Sequence, residues 1–188
     1  FFYQFYDDTK WGPMHWGHAT SKDLIHWEEQ PIAFYPDANG AMFSGSIVAD
    51  TTNSSGLFDN DQGGLVALIT ADGNGQRIKL AYSKDEGRTW TKLDQIAADW
   101  TDDPLQSQDF RDPKVFRWEG KWFMVVAGGP LRIYSSDNLR NWKVESTYAD
   151  LHTECPDLYP LLADDGSLKW VLSRGGRSYK VGDLDRKS

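Results

Sequence analysis

Ser83-Lys84-Asp85-Glu86-Gly87-Arg88-Thr89-Trp90 is the stretch on which the fold turns. Serine and aspartate can bond their own backbone two to four residues on. Glycine supplies a turn conformation closed to other residues, and the tryptophan anchors the turn by its apolar face. Working outward, Ser-x-Asp followed by Trp occurs twice more, at Ser21, Asp23, Trp27 and at Ser135, Asp137, Trp142. Successive tryptophans lie 63 and 52 positions apart. A period near 50 to 60 carrying roughly four short strands is what a β-propeller blade requires, with each Ser/Asp turn closing a hairpin and each Trp packing between blades. Read singly, each motif is only a hairpin turn; the repetition favours the propeller.

Brief apolar runs between the turns read as strands: Gly64 to Thr70, Trp122 to Ala127, Leu131 to Ser135 and Lys169 to Ser173. The aromatic stripe at Trp118 and Trp122 reads as strand core. Only Ser21 to His26 and Tyr148 to His152 hint at a helical turn, and both are too short for a helix. Asp50 to Gly64 and Ala97 to Gln108, rich in turn residues, read as surface loops. Nine Trp, eight Tyr, nine Phe and seventeen Gly in 188 residues suit short strands and tight turns, so the chain is expected to be all-β with no internal domain boundary. A formal charge of −8 argues against a phosphate-tracking nucleic-acid binder and is compatible with a neutral ligand such as a sugar. The single cysteine, Cys155, excludes an internal disulfide framework, and no apolar run is long enough to span a membrane.

Two carboxylates stand out among 28 acidic residues. In Asp109-Phe110-Arg111-Asp112-Pro113, an Arg-Asp pair precedes a proline and a strand, so Asp112 should be held rigidly beside a fixed positive charge, stay ionised and accept hydrogen bonds from hydroxyls. In Thr153-Glu154-Cys155-Pro156, the apolar and thiol neighbours of Glu154 could raise its pKa for acid work. The plain alternatives are a surface ion pair and a loop carboxylate. His15, His18 and His26 lack a recurring ligand spacing, so no metal is assigned, and His152 is read as either a substrate contact or a packing residue.

The turn at Ser83 to Trp90 is similar to the Asp-box of sialidases and other propellers, which is a structural signal only. A more specific resemblance covers essentially the whole chain. Tyr3-Gln4-Phe5-Tyr6, Trp11-Gly12, His15-Trp16-Gly17-His18-Ala19, Asp23-Leu24-Ile25-His26-Trp27, Phe43-Ser44-Gly45-Ser46, Arg111-Asp112-Pro113 and Glu154-Cys155 resemble, in order, the blocks of glycoside hydrolase family 32, the invertase, inulinase and levanase family. That resemblance implies a five-bladed β-propeller of which roughly three blades lie in residues 1–188. It implies retaining hydrolysis of terminal β-D-fructofuranosyl units without a cofactor. Glu154 would be the acid/base, Asp112 the transition-state stabiliser and Arg111 the residue orienting both. Gln4, Trp11, Phe43 and Ser44 would line the pocket for the terminal fructose, with core packing as the alternative for the two aromatics. Cys155 would be a small buried neighbour of Glu154.

The chain departs from the family pattern in one respect that bears on activity. The family's nucleophile is an aspartate in a Trp-Met-Asn-Asp-Pro-Asn-Gly-like motif ahead of the block matching Tyr3-Gln4, and no such motif occurs here. Asp7 and Asp8 fall on the wrong side of Gln4 and are not its replacement. The chain is therefore expected to be a partial catalytic domain, truncated at both ends, with open sheet edges and almost no activity alone. A non-catalytic fructan-binding propeller is the competing expectation. A sialidase-like protein is disfavoured by the Arg-Asp-Pro and Glu-Cys blocks. Sucrose, inulin and levan are the expected partners, with the blocks closer to the levanase and exo-inulinase branch. That branch implies an extracellular or surface location.

Overall fold

The computed structural model describes residues 1–59 and 62–184. Its fourteen described strands form four antiparallel sheets, each wound in chain order. The first holds β1 (Phe2–Phe5), β2 (His15–Thr20) and β3 (Glu28–Phe34). The second holds β4 (Ala41–Asp50), β5 (Gly64–Gly73), β6 (Gly75–Ser83) and β7 (Thr91–Asp99). The third holds β8 (Arg111–Trp118), β9 (Lys121–Ala127), β10 (Gly129–Ser136) and β11 (Lys143–Thr153), and the fourth β12 (Pro156–Leu162), β13 (Leu168–Arg174) and β14 (Ser178–Gly182). Two four-stranded and two three-stranded sheets fit the reading of roughly three blades, and the all-β propeller class holds. The one helical element among the described residues is a single 3-10 turn, Trp100–Asp102.

The sheets stack face to face, and this explains why their central strands read as unbroken apolar runs instead of alternating ones. On β5, Val66 and Leu68 face the third sheet and pack with Val115, Trp122, Met124 and Val126. Ala67 and Ile69 face the opposite way, onto Trp16 and Phe34 of the first sheet. The third and fourth sheets meet through Val125, Ala127 and Leu131 against Leu158 and Trp170. Each fully buried aliphatic contributes about 1.5–3 kcal/mol.

The repeated turns have one construction. In each the tryptophan Nε1 donates to the carbonyl three residues back: Trp27 to Leu24 at 3.2 Å, Trp90 to Gly87 at 2.9 Å and Trp142 to Leu139 at 2.9 Å. In the second, Ser83 Oγ accepts from the Gly87 N–H and Asp85 Oδ1 accepts from the Thr89 N–H, both at 2.8 Å. The third copy corrects the sequence register by one residue. Its capping pair is Ser136 and Asn138, not Ser135 and Asp137, with Asn138 Oδ1 accepting from the N–H groups of Arg140 and Asn141. Asparagine offers the same acceptor oxygen as aspartate, so a search for Asp alone slips to the neighbour. Trp90 packs on Phe2 and Phe34 across the gap between blades, as expected, whereas Trp27 is half-exposed and meets Phe1 of its own sheet.

These turns join β6 to β7 and β10 to β11, the last two strands of a complete blade; in the first sheet the turn joins β2 to β3, so β1 takes a blade's second position. The innermost strands are therefore β4, β8 and β12. They touch in sequence around the axis, Val115 N–H donating to Ser46 Oγ at 3.0 Å and Lys114 pairing with Asp157 at 3.0 Å.

Three local expectations change. Ser21 to His26 is a turn, and Tyr148 to His152 lies within β11. The expected surface loop Ala97 to Gln108 begins as strand and contains Asp103, which is fully enclosed against Arg132 with their ion pair at 2.6 Å. Asp50 opens the other loop as a buried anchor, accepting from the N–H groups of Ser54 and Ser55, while Asn60 and Asp61 of that loop lie outside the described residues.

Candidate functional site

The residues singled out in the sequence cluster at one end of the innermost strands because those strands are interrupted there. The ladder between β4 and β5 shifts register between Met42 and Gly45, leaving Phe43 and Ser44 in a bulge. The ladder between β8 and β9 shifts between Arg111 and Lys114, leaving Asp112 and Pro113 in another. A bulge turns side chains out of the sheet's alternation toward the axis. Gly45 has to be glycine, since a Cβ would sit 2.1 Å from the Leu68 carbonyl. Pro113 cannot donate to the ladder, which suits a bulge. Asp112 takes φ +59° and Cys155 φ +44°, left-handed values that cost a non-glycine residue about 1–2 kcal/mol and are held by surrounding contacts.

Those contacts come from far along the chain. The Asp112 N–H donates to Thr70 Oγ1 on β5 at 2.9 Å, and Asp112 Oδ2 accepts from the Cys155 N–H at 2.8 Å. Arg111 ties the group together. Its Nη2 reaches Glu154 Oε1 at 2.8 Å, its Nη1 reaches Asp109 at 2.8 Å and Gln76 Oε1 at 3.0 Å, and its Nε lies 3.9 Å from Asp112 Oδ2. Gln76 also accepts from the Phe110 N–H at 2.9 Å, and Arg132 Nη1 braces the Asp109 carbonyl at 3.3 Å.

The two carboxylates differ in setting, and Glu154 differs from expectation. Asp112 is buried, and burial pushes its pKa up while the Cys155 N–H and Arg111 pull it back, so the adjacent arginine does not dominate. Glu154 is two-thirds exposed and meets a guanidinium instead of an apolar pocket. Cys155 is exposed, not buried, although its thiol bonds Asp112 and touches Ser44; desolvation and then the Asp112 charge push that thiol up. Burial works against the Arg111 charge, but Glu154 and Asp109 more than offset it and hold its pKa above the ordinary value.

Three cavities connect these groups. Gln4 and Ser44 line one of about 340 Å³. Ser44, Asp112 and Cys155 line the next, of about 260 Å³, and Cys155, Glu154 and Arg111 share a third of about 590 Å³ with His152 and Arg174. Gln4 Nε2 donates to the Met42 carbonyl at 3.3 Å, which ties β1 to the bulge. Trp11 and Phe43 line none of the three. They meet edge to face at 6.3 Å with Trp11 largely exposed, forming an aromatic corner outside the groove and not core. The histidines are otherwise engaged: His15 Nδ1 lies 2.9 Å from the Pro13 carbonyl, His26 pairs with Asp23, and His18 is buried in a stack on Phe2.

Sequence reasoning missed Thr70, Gln76, Asp103 and Arg132. Arg132 left a signal, a charge inside the buried run Leu131-Arg132-Ile133 that demands a partner. Thr70 and Gln76 left none, since only the packing of one blade on the next brings them to Arg111 and Asp112.

Fold and site together define the class, a β-propeller with a polar axial groove of the kind that suits a neutral, hydroxyl-rich ligand. The chain belongs to glycosyl hydrolases family 32, whose N-terminal domain model matches residues 1–187. It is 76% identical over 97% of its length to a fructan beta-fructosidase of Streptococcus mutans and 42% identical over 98% to a levanase of Bacillus subtilis. It spans 13% and 30% of those two proteins. The crystal structure of exo-inulinase from Aspergillus awamori superposes with a TM-score of 0.82 at 35% identity, over 98% of this chain and 45% of that one.

Proposed function

We propose that residues 1–188 form part of the N-terminal propeller of an enzyme that releases terminal β-D-fructofuranosyl units from fructans or sucrose with retention. The single observation that carries this reading is Arg111 bridging Glu154 and, at longer range, Asp112 inside one groove. Two carboxyl groups in unlike settings are what a glycosidase needs to divide its roles. Glu154, open to solvent, is placed to protonate the leaving oxygen and later to take a proton from the attacking water. Asp112, buried, with its N–H bonded to Thr70 Oγ1 and its carboxylate to the Cys155 N–H, accepts hydrogen bonds from fructosyl hydroxyls as the ring becomes oxocarbenium-like. Arg111 sets the orientation and charge of both. Gln4 and Ser44 bond the terminal fructose, and Trp11 with Phe43 supplies an apolar edge at the groove's margin. No nucleophile is assigned within residues 1–188. No cofactor takes part. The identity to the fructan beta-fructosidase and the levanase supports fructan as substrate. A polymeric substrate that cannot readily cross a membrane supports an extracellular or surface location; among the described residues no helix is long and apolar enough to cross a membrane.

The test is fructose release from sucrose, inulin and levan by the full-length gene product that contains this chain, beside its Glu154→Gln variant. Loss of about 10²- to 10⁴-fold in the variant is expected for removal of an acid/base. Binding of fructan without any release by the parent protein would establish a binding propeller instead.

A further inference from the structure

Gln76 is buried and lines none of the three cavities, yet it meets the site at its hub. It stands at the start of β6, one sheet away from Arg111, and its own N–H donates to the Gln108 carbonyl at 3.1 Å. Its Oε1 accepts from the Phe110 N–H at 2.9 Å and from Arg111 Nη1 at 3.0 Å. Its Nε2 donates to Asp72 Oδ1 at 2.9 Å. These partners leave the amide one orientation. Reversed, its NH2 would face two donors and its oxygen would face a carboxylate. The stem of Arg111 in turn rests on Gly128, where a Cβ would come within 2.5 Å of Arg111 Cγ. Arg111 is thus directed at Glu154 by one residue of the neighbouring blade and by the bare backbone of its own.

The chemical type of that acceptor matters. Asp109 and Glu154 already pair with the guanidinium and Asp112 lies near it, so a fourth carboxylate would draw its charge away from Glu154. An amide oxygen accepts the hydrogen bond without adding charge. We propose that Gln76 is a positioning residue for the acid/base: acting through Arg111, it holds the Glu154 carboxyl toward the leaving oxygen and leaves the guanidinium charge to it. This rests on the fructosidase reading of the site.

The experiment uses the full-length gene product and two substrates, sucrose and p-nitrophenyl β-D-fructofuranoside, whose nitrophenolate departs with little need of a proton. Gln76→Met keeps the side-chain length and removes the amide. The expected result is a kcat about tenfold lower on sucrose with KM unchanged, and a change within about twofold on the aryl substrate. Equal losses on both substrates, a loss confined to KM, or no loss at all would overturn the assignment. Gln76→Glu keeps an acceptor for the Phe110 N–H, so it carries the test where the methionine variant does not fold. There the added charge competes for Arg111, and the alkaline limb of the sucrose kcat/KM profile should move up by about half a unit. The other charged or titratable groups around Glu154, namely Asp112, Cys155, His152, Arg174 and Arg177, are the same in parent and variant. A limb that stays in place or moves down, or failure of both variants to fold, would make Gln76 a structural joint between blades. Fructose release by the parent keeps the fructosidase reading whatever Gln76 does; a parent that releases none from either substrate sinks that reading first.

Discussion

Asp85 in a rim turn and Asp112 at the axis are the same residue in opposite circumstances. Asp85 accepts from Ser83 and from both the N–H and hydroxyl of Thr89, all within four positions of it. Thr89, through side chain and backbone, leads the forces that bring its pKa down to about 2. Asp112 is held by Thr70 and Cys155, 42 and 43 positions away, and burial pushes its pKa up. A turn carboxylate closed off by its own neighbours has little left for a ligand, so its repetition marks architecture. A carboxylate held by two other strands and left facing a cavity keeps an oxygen for chemistry.

Asp112→Asn is the strongest attempt to break the contrast. Fructose release by the full-length gene product should drop about a thousandfold, as when a preorganised charge is lost from an active site, while thermal unfolding shows no loss of stability at neutral pH. An unstable variant would mean that Asp112 is a structural residue like Asp85. Asp85→Ala should do the reverse, lowering unfolding free energy by about 1 kcal/mol, since three hydrogen bonds are lost but the site is partly solvated, with kcat unchanged. A fall in kcat at full stability would erase the distinction.

The smallest effect is also the sharpest in sign. The depressed pKa of Asp85 makes its stabilisation complete above 3.8 and lost as pH falls from there through about 2. The stability gap between parent and Asp85→Asn should therefore close in acid. Asp112 has a raised pKa, so in the window just above 3.8 the folded state binds the proton more readily and stability falls as pH rises. The advantage of Asp112→Asn over the parent should thus shrink on acidification, and denaturant titrations across that range should show the two gaps approaching zero from opposite sides. Gaps of the same sign would show that burial does not control Asp112.

Part of the site was legible because it depends on short-range chemistry. Arg111-Asp112-Pro113 showed a charged pair before a residue that cannot join a ladder, and Gly45 after Phe43-Ser44 allowed the close approach to Leu68 that a bulge needs. The exposure of Glu154 ran against its reading among apolar neighbours, and the depth at which Asp112 lies was not read at all. Proximity in sequence to Arg111 or to Cys155 does not reveal solvent access, which depends on how β8 and β12 meet around the axis.

By itself the sequence determined the all-β class, the blade repeat and the identity of the axial carboxylates, because turn capping, strand periodicity and the Arg-Asp-Pro and Glu-Cys blocks are local and persist wherever the chain goes. Tertiary structure alone decided the slip to Ser136 and Asn138, the burial of Asp103 on Arg132, the grip of Gln76 on Arg111 and the placing of Arg174 and Arg177 beside Glu154. Those contacts join residues on separate strands, and their energies depend on distance and desolvation, quantities that exist only once the sheets have packed.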